Sequence, residues 1–409
     1  MSSKFQNAIR VLSLFSGCGG LDLGLEGNFS AFSRSIDKKV HPDWIERPLG
    51  KNRVLLKGNR FQTVFANDIF PAAKNAWENF FSARRNIDGI YHLDSIVDLV
   101  KKSREGAFSF PENIDIVTGG FPCQDFSVAG KRMGFKSGKS HNGKNEEHSA
   151  RESRGSLYLW MKSVIEIVKP RLFIAENVKG LVSLGDAKRI IEEDFRHIGK
   201  GYFVIDAKVL KAWEYGVPQS RERIVFIGIS REKCNPDVLD DLIRNGERSL
   251  YNPYPVPTHG KDLSPVVTCR EAFKNLAEPE NSSDASQSHF SKAKYYGKTQ
   301  GSSEIDLDGI GPTIRSEHHG NIEFRRLSAE HGGKHFDELS AGLGERRLSV
   351  RECARIQTFP DEYPFVFENE KRRLNASDAY KVIGNAVPPL LGYAIAKRIE
   401  ALWDIYFGA

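Results

Sequence analysis

The sequence predicts an α/β protein with a mostly parallel, doubly wound sheet and a second, smaller, loop-rich domain. Between residues 9 and 230, short apolar runs typical of buried strands alternate with segments of helical periodicity. From residue 231 to about residue 345, Pro, Ser, Asn, Gly and His accumulate and helical periodicity is faint. Strands that alternate with helices of this length indicate a parallel sheet covered on both faces.

Composition limits the class of protein. The 409 residues, 40% of them hydrophobic and 11% aromatic, suffice for two domains with a buried core. Five scattered cysteines without a C-x-x-C pair argue against a disulfide framework and against a cysteine-built metal site. No apolar run approaches the roughly 18 residues of a membrane span, and the N-terminus lacks an apolar signal core. We therefore expect a cytoplasmic protein without a metal, and its net charge of +6 permits a polyanionic partner.

Apolar runs predict the strands of the sheet, in chain order, at 11–15, 62–66, 114–117, 172–175, 203–210 and 224–229. Helices are expected at 21–25, 72–81 and 156–169, the last because its apolar residues recur every three to four positions. Ser349 and Glu352 form a capping box that predicts a helix over 348–356. Pro388 and Pro389 open a final helix with one apolar face, which we expect to dock on the first domain.

Two basic inserts interrupt this pattern, at 33–60 and 131–155. Each is predicted to be a solvated surface loop. The second begins eight residues after Cys123, so it also has the position of a basic lid over a polyanion beside that thiol.

A glycine-rich turn, Phe15-Ser-Gly-Cys-Gly-Gly20, lies between the first strand and the first helix. Glycines permit close approach of the backbone to a ligand, and the helix start offers free N–H groups. The full G-x-G-x-x-G spacing is absent. Asp68, at the end of the second predicted strand, has the position of a residue that accepts from ribose hydroxyls.

Reactive side chains follow the later strands. Cys123 lies on a turn beyond the 114–117 strand, where a thiol is accessible, although most free cysteines are small buried hydrophobes. Glu176 ends the 172–175 strand and has the position of either a general acid or a helix cap. Arg221 and Arg223 precede the last strand, and they suit either a carboxylate or phosphate partner in a cleft or a surface salt bridge.

Taken together, the ordered motifs closely resemble those of the bacterial DNA (cytosine-5) methyltransferases of restriction–modification systems. The resemblance covers 9–230 and 345–409. It rests on these segments: 15–20, 120–124 (Gly-Phe-Pro-Cys-Gln), 176–178 (Glu-Asn-Val), 219–223 (Gln-Ser-Arg-Glu-Arg), 347–360 and 384–385 (Gly-Asn).

The resemblance implies a Rossmann-like methyltransferase fold and a covalent mechanism. Cys123 would add to C6 of a flipped-out cytosine in duplex DNA, Glu176 would hold or protonate N3, and Arg221 and Arg223 would fix the base carbonyl and the glutamate. Asn177 would orient the base and the turn that bears Pro122.

The same resemblance implies S-adenosylmethionine as the methyl donor, with S-adenosylhomocysteine as the product. The residues expected to contact it are Phe15, Gly17, Gly19, Asp68, Ile69, Asp94 and Asn385. Among them, Asp68 would accept from the ribose and Asp94 from the adenine amino group. Ile69 stands where many family members place an aromatic residue beside the adenine.

The resemblance also implies a division of the chain and its partners. Residues 1–235 would form the catalytic domain, 236–365 the target recognition domain, and 366–409 would complete the catalytic domain. We expect a monomer that acts on double-stranded DNA, binds no membrane, associates with the nucleoid through DNA, and shares its site with a cognate restriction endonuclease.

Three other classes of protein fit the sequence less well. A tRNA cytosine methyltransferase uses the same machinery, but the Tyr, His, Arg and Asn content of 231–345 favours reading a duplex in its grooves. An inactive DNA-binding module is disfavoured by the intact Cys123, Glu176 and arginines. A Rossmann oxidoreductase would carry the complete dinucleotide glycine spacing.

Overall fold

The structure, a computed structural model, describes residues 8–122, 157–296, 301–316 and 322–408. The predicted lid at 131–155 lies outside these residues. In chain order the strands are β1 Ile9–Leu14, β2 Ser30–Phe32, β3 Ile45–Leu49, β4 Arg53–Leu56, β5 Phe61–Asn67, β6 Tyr91–His92, β7 Ile116–Gly120, β8 Leu172–Val178, β9 Tyr202–Lys211, β10 Glu222–Ser230, β11 Phe324–Arg326, β12 Arg346–Arg347, β13 Phe367–Glu368 and β14 Arg373–Leu374.

The helices are α1 Gly20–Glu26, α2 Pro71–Phe81, α3 Ile96–Arg104, α4 Leu157–Val168, α5 Ala187–Arg196, α6 Pro236–Asn245, α7 Cys269–Ala272, α8 Ala285–Ser288, α9 Phe336–Ser340, α10 Val350–Ile356, α11 Ala376–Asn385 and α12 Pro389–Phe407. Short 3-10 turns connect several of them.

The central sheet has the strand order β6-β5-β1-β7-β8-β10-β9. The first five strands are parallel, whereas β10 runs antiparallel to both β8 and β9. All six strands predicted from apolar runs are present in this sheet. Because the five parallel strands end at one edge, the turns after β1, β5, β7 and β8 meet there.

Two hydrophobic clusters cover the two faces of the sheet, one built around α1, α2 and α12 and the other around α3, α4 and α5. This arrangement confirms the predicted doubly wound α/β class. Side chains of alternating direction on β1 enter opposite clusters, since Val11 belongs to the first and Leu12 to the second.

The C-terminal helix docks on the first domain, as predicted. α12 crosses α1 at a glycine contact: a Cβ on Gly24 would lie 2.5 Å from the carbonyl oxygen of Pro389 and 2.7 Å from the carbonyl carbon of Gly392. The two backbones are therefore in direct contact, and this contact joins parts of the α/β fold that are far apart in sequence.

The prediction of a surface loop at 33–60 is wrong, because this insert contributes to a three-stranded antiparallel sheet of order β2-β4-β3. Val54 and Leu56 are buried, while Arg53 and Leu55, which alternate with them, are less so. This period-two burial lets the strand pack on the protein despite its basic composition. The high density of Lys and Arg hid the alternation.

The region from 231 to 345 is irregular, as predicted, but it begins with a well-formed helix that the faint periodicity did not reveal. Asn235 caps α6 by accepting from the backbone N–H of Asp237, and Val238 and Leu242 are buried.

The capping box of α10 is confirmed, with Ser349 and Glu352 bonded reciprocally. No helix in the described ranges has the length and apolar character that a bilayer crossing requires.

Candidate active site

The glycine-rich turn after β1 has a left-handed backbone at three positions, of which only Phe15 is strained by it. Phe15, Gly17 and Gly19 have φ values of 52°, 55° and 76°, in the left-handed region. A Cβ on Gly19 would lie 2.5 Å from Cδ1 of Trp77, so no larger residue fits there. A Cβ on Gly17 would meet nothing within 4 Å, which leaves open space above the turn for a ligand. A phenylalanine in this conformation persists only where its surroundings hold it.

Hydrogen bonds from several elements hold the turn. Ser16 N donates to Asn67 O (2.8 Å), and Asn67 N donates to the Ser16 hydroxyl (3.0 Å). Gly17 N donates to Oδ2 of Asp68 (3.0 Å). Tyr363, from the end of the region predicted to recognise the target, donates its hydroxyl to Cys18 O (2.7 Å). The turn is thus fixed by the neighbouring strand and by a distant part of the chain.

The ends of β5 and β6 lie beside this turn. Asp68 accepts from the backbone N–H of Phe70 (3.0 Å), and burial raises the pKa of its carboxyl group. Ile69 and Leu93 are 47% and 39% exposed, which is unusual for large apolar side chains beside a buried carboxylate. Asp94 lies on the same edge, with its carboxylate 3.9 Å from Lys102 Nζ. Carboxylates next to exposed aliphatic side chains fit a nucleoside, whose ribose is polar and whose base is flat.

Asn67 is a site residue that sequence reasoning did not single out. Its side-chain amide donates to the carbonyls of His92 (3.1 Å) and Asp94 (2.8 Å), so it fixes the segment that carries Leu93 and Asp94. A buried amide at the end of a strand, next to the predicted Asp68, was the available signal.

A largely buried ion pair lies at the same edge, between residues of β8 and β10. Arg223 Nε lies 2.6 Å from Oε1 of Glu176, with side chains 11% and 13% exposed. The pair is diagonal across antiparallel strands, since Glu176 lies opposite Val225. On the other side of β8, Gly120 of β7 lies opposite Glu176, and a Cβ at Gly120 would lie 2.9 Å from Oε2. A glycine at position 120 therefore allows the carboxylate of Glu176 to keep this position, whereas a larger residue would displace it.

Asn177 follows Glu176, and its side chain bonds to the residue that follows β7. Its side-chain amide donates to Phe121 O (3.0 Å), and its oxygen accepts from Val178 N (2.8 Å). Asn177 therefore holds the peptide that precedes Pro122. Cys123 itself lies outside the described residues, one position beyond Pro122.

Arg221 and Arg223 take different partners. Arg221 is buried, and its guanidinium donates to Ile314 O and to Gly384 O, each at 2.9 Å. Burial lowers the pKa of Arg221, with the neighbouring Arg223 acting in the same direction. Among the described residues, Arg221 thus ties the Arg223 segment to two distant backbones, whereas Arg223 holds the glutamate.

A pair of glutamines, also missed from the sequence, runs beside Arg221. Gln219 donates to Oε1 of Gln357 (2.9 Å), and Gln357 donates to Ile383 O (2.6 Å). The exposed Asn385 ends α11 just after this contact. The end of α11 at Gly384 and Asn385 is therefore connected to the arginine segment through buried amides.

Within the residues that the structure describes, no group of three or more His, Cys, Asp or Glu side chains has the geometry of a metal site. The described cysteines are all buried: Cys18, Cys234, Cys269 and Cys353.

The structure thus places a candidate nucleoside site, at the turn after β1 and the end of β5, beside the Glu176–Arg223 pair at one edge of an α/β sheet. The chain belongs to the C-5 cytosine-specific DNA methylase family, whose pattern matches residues 9–401. It is a DNA (cytosine-5) methyltransferase of the S-adenosylmethionine-dependent class.

Similar proteins agree with this assignment. The Type II methyltransferase M.BsuRI of Bacillus subtilis is 32% identical over 98% of this chain and 80% of its own. M.BspRI of Lysinibacillus sphaericus is 33% identical over 97% of this chain and 82% of its own. Among solved structures, the Dnmt2 methyltransferase of S. pombe has a TM-score of 0.57 at 18% identity and covers 96% of this chain and 99% of its own. At that identity it supports the fold alone.

Proposed function

We propose that this enzyme methylates C5 of one cytosine within a specific duplex DNA sequence and thereby protects DNA in a restriction–modification system. The observation that carries the proposal is the Glu176–Arg223 pair. The carboxylate is largely buried and paired with a fixed cation. Glu176 lies opposite Gly120, and Gly120 precedes Cys123 by three residues. The target cytosine must leave the duplex to reach a pocket of this kind.

Cys123, as thiolate, forms a bond from sulfur to C6 of the cytosine, and the ring electrons move to C5. Glu176 holds or protonates N3, and Arg223 keeps the carboxylate oriented and contacts the base carbonyl. Arg221 supports this arm of the pocket through its backbone contacts, and Asn177 fixes the peptide before Pro122. After methyl transfer, the C5 proton leaves and the sulfur–C6 bond breaks.

S-adenosylmethionine, when bound, supplies an electrophilic methyl group. The turn with Phe15, Gly17 and Gly19 would hold its methionine portion, with Asn385 nearby. Asp68 would accept from the ribose hydroxyls and Asp94 from the adenine amino group, while Ile69 packs on the adenine. The open space above Gly17 and the exposure of Ile69 support this placement.

A trapping experiment tests the nucleophile. Duplex DNA with 5-fluorocytosine at the target cannot lose fluorine from C5, so a covalent complex should accumulate when S-adenosylmethionine is present. Cys123→Ala should abolish the complex, and the matched Cys234→Ala, which changes a buried thiol elsewhere, should retain it. Trapping that persists in Cys123→Ala would overturn the assignment.

We further propose that residues 236–365 recognise the target, with 1–235 and 366–409 forming the catalytic domain. Exchange of 240–340 with the corresponding segment of a relative should change the methylated sequence, read by bisulfite sequencing, while methyl transfer persists. A chimera that keeps its original recognition sequence would contradict this.

Methyl transfer to tRNA in preference to duplex DNA would contradict the proposed substrate class. The proposal also includes a monomeric, nucleoid-associated enzyme and a cognate endonuclease that forms no stable complex with it.

A further inference from the structure

A buried carboxylate lies directly beneath the glycine-rich turn. Asp22, on α1, is 1% exposed. Its Oδ1 accepts from the hydroxyl of Ser13 on β1 (2.6 Å), and its Oδ2 accepts from Nε1 of Trp77 on α2 (2.8 Å). One side chain thus connects three elements that surround the turn.

The chain of hydrogen bonds continues into the turn itself. The Ser16 hydroxyl lies within hydrogen-bond distance of both the Ser13 hydroxyl (2.9 Å) and the Ser13 carbonyl oxygen (3.0 Å), and it accepts from Asn67 N (3.0 Å). Ser13 and Trp77 donate directly to Asp22, and Ser16 and Asn67 are linked to it through the Ser13 hydroxyl. Such an ordered chain needs an acceptor-only group at its end, and an ionised carboxylate is one.

Asp22 accepts these hydrogen bonds without an ion-pair partner among the described residues. The nearby Arg85 is bonded to Glu26 at 2.7 Å instead. The other titratable groups that face it are Cys18, Tyr91 and Tyr363, with Asp68 beyond the turn. Burial raises the pKa of Asp22 to about 6, while the bonds from Ser13 and Trp77 oppose the increase.

An isolated buried charge lowers the stability of the fold, so stability alone gives no reason for it. The turn that it supports includes a strained residue, since Phe15 is a non-glycine residue with positive φ. We propose that Asp22 is a positioning residue that holds the 15–19 turn in the conformation that binds the methyl donor. This inference rests on the proposed function of that turn.

Asp22→Asn tests the inference with almost no change in shape. The amide oxygen can accept from Trp77, but its NH2 then faces Ser13, whose hydroxyl must turn away and reverse its bond with Ser16. Glu26→Gln, on the same helix, is the matched control. We expect calorimetry to show S-adenosylmethionine binding about tenfold weaker in Asp22→Asn, as for loss of a charge-assisted hydrogen bond, and unchanged in Glu26→Gln.

Two further measurements separate positioning from a structural role. The melting temperature of ligand-free Asp22→Asn should equal or exceed that of the wild type, because a buried charge is removed. In the wild type, binding should weaken as the pH falls through about 6, as Asp22 becomes protonated, whereas Asp22→Asn should lose this dependence.

Unchanged binding in Asp22→Asn would overturn the inference, as would a parallel loss of binding and melting temperature. If the variant does not fold, wild-type binding that is constant between about pH 5 and pH 7 would overturn it equally. A wild-type protein that binds S-adenosylmethionine but methylates no cytosine would instead contradict the proposed function.

Discussion

Arg223 and Glu176 form an ion pair of 2.6 Å across two antiparallel strands, at the edge where the parallel strands end. Both side chains are nearly buried, so the carboxylate keeps one orientation before any substrate arrives. A preorganised charge of this kind is most effective where water is excluded.

The first prediction concerns this pair. Glu176→Gln should lower kcat about 10²- to 10⁴-fold, the range for loss of a positioned acid, because a neutral amide neither protonates N3 nor binds Arg223 as an ion. Steady-state methyl transfer on duplex DNA measures this. The affinity for S-adenosylmethionine should not change, and an equal loss of that affinity would show that Glu176 supports the cofactor pocket instead.

The second prediction concerns Gly120. In Gly120→Ala the new Cβ lies 2.9 Å from Glu176 Oε2 and must displace the carboxylate. We expect kcat to fall at least about tenfold, since small misplacements of reacting groups have large effects. Gly180→Ala is the control, because its Cβ would make only an ordinary 3.8 Å contact with Val178. Equal activity of the two variants would contradict the prediction.

Arg221 gives the third prediction. Arg221→Met leaves the carbonyls of Ile314 and Gly384 without their buried donor, so unfolding in urea should show a loss of about 3 kcal/mol. Arg221→Lys, which retains one donor head, should lose less. Arg244→Ala is the control: its side chain is 76% exposed, and we expect a change within about 0.5 kcal/mol. A stable, fully active Arg221→Met would show that the contacts with Ile314 and Gly384 are dispensable.

The fourth prediction concerns the helix crossing. Gly24→Ala places a methyl group 2.5 Å from Pro389 O, and the backbones of α1 and α12 must separate. Overpacking of this type destabilises by about 1–3 kcal/mol, measurable by thermal unfolding. Gly344→Ala, whose Cβ would meet nothing within 4 Å, should leave the melting temperature nearly unchanged. Similar melting temperatures for the two variants would count against direct contact between the helices.

The fifth prediction is a pH dependence. Burial alone would raise the pKa of Glu278, but hydrogen bonds from Arg346 and Arg326 lower it from 4.5 to about 2. The pKa is lower in the folded state, so the ionised glutamate stabilises the protein above pH 4.5, and this contribution is lost as the pH falls toward 2. The melting temperature of Glu278→Gln should therefore depend less on pH in that range. Parallel curves for variant and wild type would contradict this.

Local patterns were sufficient for much of the fold. Apolar runs predicted the six long strands of the central sheet, and the spacing of Ser349 and Glu352 predicted the start of α10. Glu176 lies near the carboxyl end of β8, opposite the last residue of β7, although the strand continues to Val178, two residues beyond the predicted end. The prediction of a loop at 33–60 was wrong because many charged residues obscured a period-two alternation.

The sequence by itself determined the class of fold, the positions of the strand ends and the family motifs on them, since these depend on residues close together in the chain. Only the tertiary structure decided the partners. Arg221 bonds to Gly384, 163 positions away, and Asp22 joins Trp77 across 55 positions. Such contacts depend on how helices and strands pack, and the periodicity of a single segment carries no information about which distant backbone or side chain will meet it.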